Sequence, residues 1–221
     1  MRTFPLILIL ILAVGLTGCA SRPAGDLWLA TAHADRFDDS LSKMVTIGEE
    51  TPRLLGMSGI TMSMRYYPFV GLRDGEILFG IRSGGRHRVP VGDVQVRIDT
   101  NPTWTITTAE TPLYLAPAPP QVATFEVPKG HQMSKDMAAA MAMSQAATEK
   151  AMENMGKIMS PFTAATGDKA KAIIREMLAG NRIIYRTVGL NQAASTEGEV
   201  LIDGSFARAL SQIGITRDML N

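Results

Sequence analysis

The chain predicts an α+β fold: an antiparallel, β-rich, sandwich-like domain interrupted by a helical hairpin and closed by a short C-terminal helix. Three observations predict it. Between about residues 59 and 127, and again after residue 181, apolar and polar side chains alternate with the period of a strand that lays one face on a core. Between about residues 134 and 179 the apolar positions recur every three or four residues, as on one face of a helix. The strand-like stretches are short and are separated by turn residues, which is the pattern of antiparallel sheets.

At the N-terminus, Met1 and Arg2 precede an uncharged apolar run over residues 4–16, and Thr17 and Gly18 lead into Cys19. This is the tripartite layout of an export signal. The run of 13 residues rises only about 20 Å as a helix, short of the roughly 30 Å hydrocarbon core, which disfavours a permanent span. The four residues Leu16-Thr17-Gly18-Cys19 resemble the lipobox of bacterial lipoproteins. That resemblance implies cleavage before Cys19, palmitate-type acyl chains on its sulfur as the sole attached group, and residence in the bacterial cell envelope. Ala20, in place of the Asp that marks inner-membrane retention in that class, implies the outer membrane facing the periplasm. Two or more chains make such an anchor stable, since each buried methylene contributes about 0.8 kcal/mol.

Residues 1–18 therefore read as a signal peptide and residues 19–35, mixing Ser, Pro, Gly, Ala and Asp, as a lipidated tether. Residues 36–221 read as a single β-rich domain with its helical insertion at about 133–180. Ile60, Met62, Met64 and Tyr66 alternate with Thr61, Ser63 and Arg65 as in a half-buried strand. Asp74-Gly75 between residues 69–72 and 77–81 is a two-residue hairpin signal. Val94, Val96 and Ile98 share one face of the next strand, Asn101-Pro102 turns the chain, and Trp104 and Ile106 share a face of another. The Pro-rich residues 116–120 cannot continue a ladder.

At 100° per residue, Met133, Met137, Met141, Met152, Met155 and Met159 fall within about 100° of arc, opposite Lys135, Glu149, Lys150, Glu153 and Lys157. This long amphipathic helix stops at Pro161. A second helix over about residues 168–179, capped by Thr166 and ended by Gly180, completes the hairpin. Strands follow at 182–188 and 199–202, and then a short helix whose Phe206, Ala209, Leu210 and Ile213 form one buried stripe.

The runs Val89-Pro90-Val91-Gly92-Asp93-Val94, Arg97-Ile98-Asp99, Ala179-Gly180-Asn181-Arg182-Ile183, Gly198-Glu199-Val200-Leu201-Ile202 and Gly204-Ser205-Phe206-Ala207-Arg208-Ala209-Leu210 resemble the periplasmic invasion-associated locus B family. The resemblance covers about 50 residues and implies a small, exported, β-rich protein without an established enzymatic site. The chain departs from that pattern by lacking paired cysteines and by carrying the helical insertion.

The sequence points away from several chemistries. Removing residues 1–18 takes only Arg2 from the charges and leaves 21 basic against 21 acidic side chains, so nothing draws the domain to nucleic acid. The three histidines, His33, His87 and His131, lie far apart, and the single cysteine is assigned to lipid, which leaves no zinc set. Ser83-Gly84-Gly85-Arg86-His87 reads as a hairpin loop before it reads as a nucleophile beside a base. Asp93 and Asp99 sit on one polar strand face about 20 Å apart, too far to act as an acid/base pair. The 14 methionines are the unusual feature. Their expected role is packing or contact with an envelope protein partner through Met137, Met141, Met152, Met155 and Met159, since thioethers suit adaptable apolar surfaces. The alternative is a periplasmic soft-metal site, Cu(I) or Ag(I), on Met62, Met64, His131 and Met133. The function expected is therefore that of a non-enzymatic envelope lipoprotein engaged in protein binding or envelope assembly.

Overall fold

The computed structural model describes residues 26–34, 41–47, 66–84, 88–117, 134–188 and 196–221. Within them the fold is α+β and antiparallel. Strands β1 (Trp28–Ala34), β2 (Leu41–Ile47), β3 (Tyr66–Arg73), β4 (Glu76–Ser83) and β7 (Phe162–Thr166) form a five-stranded sheet in the order β1-β2-β3-β4-β7. Strands β5 (Asp93–Ile98), β6 (Trp104–Ile106), β8 (Arg182–Val188) and β9 (Glu197–Leu201) form a four-stranded sheet in the order β6-β5-β8-β9. Helices α1 (Lys135–Ile158), α2 (Gly167–Ala179) and α3 (Gly204–Ile213) complete the regular structure with short 3₁₀ turns, two of them at Thr108–Glu110 and Leu113–Leu115.

The β3–β4 hairpin closes where the sequence places it. Asp74 and Gly75 take φ of 50° and 85°, the doubly positive conformation that two-residue hairpin turns require and that Asp-Gly supplies at low strain. The turn sets the register, with Arg73 opposite Glu76 and Val70 opposite Phe79. In the smaller sheet the alternation is clean. Val94, Val96 and Ile98 on β5 and Ile183 and Tyr185 on β8 are buried, while Arg97, Arg182 and Arg186 face water.

The larger sheet differs, because β3 and β4 are buried on both faces. One face, with Val70, Ile77, Phe79 and Ile81, joins the main core together with Val94, Val96, Ile98 and Ile183 from the smaller sheet, Ile173, Ile174 and Met177 from α2, and Phe206, Leu210 and Ile213 from α3. The other face gathers Phe69, Leu78 and Ala164 under Met44, Leu115 and Phe162, with the Phe69 and Phe162 rings edge to face at 5.6 Å. Tyr185 ties the two sheets together: its hydroxyl donates to the Tyr66 carbonyl at 2.6 Å.

Three elements depart from the sequence reading. The tether read through residue 35 is shorter, because Trp28–Ala34 is strand β1. Its anchor is Trp28, 2% exposed, whose ring packs edge to face on Phe206 at 4.8 Å and whose indole N–H donates to the Leu201 carbonyl. The two insertion helices are present, but they do not form an uninterrupted hairpin. Strand β7 separates them and pairs with β4 from Leu78↔Thr166 to Arg82↔Phe162, so that α2 is part of the core. Thr166 holds the N-cap position of α2 but makes no side-chain cap bond. The predicted alternating strand over residues 60–65 lies outside the described residues.

Candidate docking surface

Helix α1 is set up by local chemistry. Ser134 Oγ accepts a hydrogen bond from the Met137 N–H at 3.3 Å, Asp136 lies in the first turn and Lys157 in the last, and both charges suit the helix dipole. Its interior is rich in alanine, the best helix former. Glu153 and Lys157, four residues apart, pair at 3.1 Å.

Among the described residues, the C-terminal end of α1 is the part fixed to the body. Lys157 Nζ donates to the Ala109 carbonyl at 3.2 Å, and Ser160 Oγ, just past the helix, donates to the Leu115 carbonyl at 2.9 Å. At Gly156 a Cβ would lie 3.5 Å from the Pro117 carbonyl oxygen, an ordinary contact distance, so the helix foot sits against the 113–117 segment. Toward the N-terminus the packing ceases: among the described side chains of residues 135–150, all but the half-buried Met141 are exposed. At 1.5 Å per residue, that is about 24 Å of helix exposed over most of its surface.

The five methionines predicted to contact a partner accordingly separate. Met137 and Met155 are each 60% exposed and Met159 is 52% exposed, while Met141 and Met152 are half-buried. None is in the core. The sequence reading did not place Met143 among the partner contacts, since it lies off the stripe, yet it is the most exposed of these methionines at 75%. It also missed the apolar residues at the foot: Ile158 of the helix, and Leu113 and Tyr114 of the 3₁₀ turn that α1 packs against, are exposed. Tyr114 is held there by its hydroxyl, which donates to Glu76 Oε2 at 2.7 Å, and by the Arg73 guanidinium 4.6 Å over its ring. Burial and the Glu76 carboxylate together raise its phenol well above the ordinary value.

The residues considered for catalysis are occupied elsewhere. Ser83 is buried, and its Oγ accepts the Val89 N–H at 3.1 Å, bracing the loop after β4. Asp93 and Asp99 stand at opposite ends of β5. The first accepts the Thr108 N–H at 2.8 Å and the second the Asn181 N–H at 3.0 Å, so both carboxylates secure loop backbone. His33 is exposed on β1, and His87 lies outside the described residues. So do Cys19 and the soft-metal candidates Met62, Met64, His131 and Met133. Among the described residues no three His, Cys, Asp or Glu side chains gather into a metal-binding group. No described helix is long and apolar enough to cross a membrane.

One depression, of about 340 Å³, lies on the outer face of the smaller sheet and is lined by Gln95, Arg97, Thr103, Ile184, Arg186 and Glu197 among others. Arg186 Nε donates to Gln95 Oε1 at 2.7 Å, and the neighbouring Arg182 pairs with Glu199 at 3.2 Å. Its polar groups bond largely across the strands, as on an ordinary solvated sheet face. No family model, curated protein or solved structure matches the chain.

Proposed function

We propose that this chain is a non-enzymatic envelope lipoprotein that docks a second protein on the exposed, methionine-bearing part of α1. The observation that carries the reading is the exposure of Met137, Met143, Met155 and Met159 along a helix that, among the described residues, is bonded to the body at its foot. Most helical stability in proteins comes from packing an amphipathic face. Here alanine content and a good cap support the helix instead, which leaves its thioethers free for another surface. Unbranched, polarizable methionine adapts to an irregular partner face. The helix carries Lys135, Lys150 and Lys157 against Asp136, Glu149 and Glu153, so the partner surface it fits is apolar and close to neutral. The Leu16-Thr17-Gly18-Cys19 sequence supplies the anchor in this proposal, with acyl chains on Cys19 fixing the domain to the periplasmic side of the outer membrane.

Site-specific photo-crosslinking in intact cells tests it, with the crosslinker placed singly at Met137, Met143 or Met155 and at Arg97 on the far sheet as reference. The expected result is one discrete protein adduct shared by the helix positions and missing at Arg97. Adducts indistinguishable between the helix and Arg97, or none from the helix, would refute the docking role.

A further inference from the structure

The four outer strand edges of the two sheets are treated differently. On β7, the N–H of Ala164 donates to Thr111 Oγ1 at 3.2 Å and that of Phe162 to Ser160 Oγ at 3.1 Å, so side chains fill the edge. Strand β6 is three residues long, and its Thr105 carbonyl is taken by Lys169 Nζ at 2.6 Å. Strand β9 carries the exposed carboxylates of Glu197 and Glu199. Short length, side-chain capping and charge are the usual ways in which proteins keep a strand edge from pairing with another chain.

Strand β1 has only one of them, at its start, where Ser205 of α3 caps the Trp28 N–H. It is seven residues long, Trp-Leu-Ala-Thr-Ala-His-Ala, without proline, lysine or carboxylate. The N–H of Trp28 points away from β2, because it donates to Ser205 Oγ at 2.9 Å. With the two-residue period of a strand, the N–H and C=O groups of Ala30 and Ala32 point the same way. Strand β1 is the last in its sheet, and among the described residues nothing bonds to these four groups. Exposed leucines surround the start of the strand: Leu27 at 36%, Leu29 at 40%, and Leu201 at 63%, whose carbonyl is bound by the Trp28 indole.

We propose that the β1 edge is a self-association site, at which β1 of a second copy pairs antiparallel about a twofold axis at Thr31. In that register the outward groups of Ala30 meet those of Ala32 in the other copy, which makes four main-chain hydrogen bonds, and Leu29 lies opposite His33. A second copy fits better than a charged or irregular segment, because an uncharged strand pairs with itself without opposing like charges, and a twofold contact closes without leading to a fibre. So small a contact predicts a weak, concentration-dependent dimer. The opposite edge of the sheet, β7, lies about 19 Å away at four strand spacings, and α1 packs against the turns on that side. Pairing through β1 thus leaves the methionine surface open, and this inference stands whether or not α1 docks a partner.

The test is sedimentation of the full chain in detergent over a hundredfold range of concentration, for the unaltered protein and for Ala32→Pro. Proline at position 32 removes an outward N–H and leaves the bonds to β2 in place. The expected result is a monomer–dimer equilibrium whose Kd rises at least tenfold in Ala32→Pro with an unchanged circular dichroism spectrum. Thr31→Pro, which removes an N–H directed at β2, lowers the unfolding temperature instead. Should Ala32→Pro fail to fold, hydrogen exchange on the unaltered chain decides: slowing of the Ala30 and Ala32 amides with concentration, while Thr31 holds constant, supports the pairing. A monomer at every concentration, equal dimerisation by Ala32→Pro, or exchange at Ala30 and Ala32 independent of concentration overturns it.

Discussion

Gly80→Ala is the substitution whose effect follows most directly from the packing. Gly80 sits in β4 opposite Phe69 of β3 and Ala164 of β7. A Cβ there would lie 2.2 Å from the Thr163 carbonyl oxygen, 2.8 Å from Ala164 Cα and 2.9 Å from Ala164 Cβ. Two of those three atoms belong to the neighbouring backbone, so no rotamer change relieves the overlap. Strand β7 must move away from β4, stretching the ladder from Leu78↔Thr166 to Arg82↔Phe162. Overpacking of this kind costs typically 1–3 kcal/mol, and the upper end applies because backbone, not side chain, has to shift. For a domain of this size about 3 kcal/mol lowers Tm by roughly 6–12 °C. Gly75→Ala is the control: its φ is +85°, yet nothing lies within 4 Å of the added carbon, so its cost is limited to local backbone strain of roughly 1 kcal/mol. Thermal melts followed by circular dichroism compare the two. Equal Tm values, or a larger loss for Gly75→Ala, would refute the assignment of β7 to the sheet edge beside Gly80.

Two more outcomes follow from the same contacts. Burial raises the Tyr185 phenol from 10.0 to about 12, because the phenolate is poorly solvated there. Below pH 10 both folded and unfolded chains keep this proton and its contribution to stability is complete; between pH 10 and about 12 the unfolded chain releases it first, so the contribution falls as pH rises. Tyr185→Phe should therefore cost about 1 kcal/mol at pH 7 through the lost bond to Tyr66 and flatten the alkaline loss, read by denaturant melts from pH 8 to 11. An alkaline slope identical to that of the unaltered chain contradicts this. Asp99 has φ +47° and accepts the Asn181 N–H. Asp99→Ala should thus cost about 1–2 kcal/mol in urea melts, while Asp99→Asn, which tolerates the same backbone and can still accept, stays within about 0.5 kcal/mol. The reverse order would show that the carboxylate does something other than secure that turn.

Much of the fold is legible in the sequence wherever one face of an element is apolar and the other polar. Val94, Val96 and Ile98, the Asp-Gly hairpin, and the stripe of Phe206, Ala209, Leu210 and Ile213 have strong periods, and each forms the expected element. Strand β1 hides because three of its seven residues are alanine, which dilutes the alternation, and because the bonds that order it reach across the chain to Ser205 and Leu201. Strand β7 is Phe-Thr-Ala-Ala-Thr, with little intrinsic strand preference in its alanines. Its conformation comes from the open edge of β4 and the space above Gly80, neither of which is local in sequence.

The candidate surface was half legible. Periodicity places Met137, Met141, Met152, Met155 and Met159 on one side of a helix, but the same stripe suits a buried seam and an exposed one equally well. What decides is where the rest of the chain goes. Strand β7 carries the polypeptide back into the sheet immediately after α1, and the main core is filled by α2 and α3, so the methionine helix has no face left to cover. Sequence pattern reports the chemistry of a helix face; the topology of distant strands decides whether that face meets protein or water.

The proposal that α1 docks a partner is tested most directly by methionine oxidation footprinting with dilute peroxide, comparing the purified chain with the intact envelope. Met177, with no exposed surface in α2, is the internal slow reference. Met137, Met143, Met155 and Met159 should oxidise rapidly in the purified chain, and Met137 and Met155 at least tenfold more slowly in the envelope. Equal rates in the two settings would contradict it, as would slow oxidation of Met137 in the purified chain.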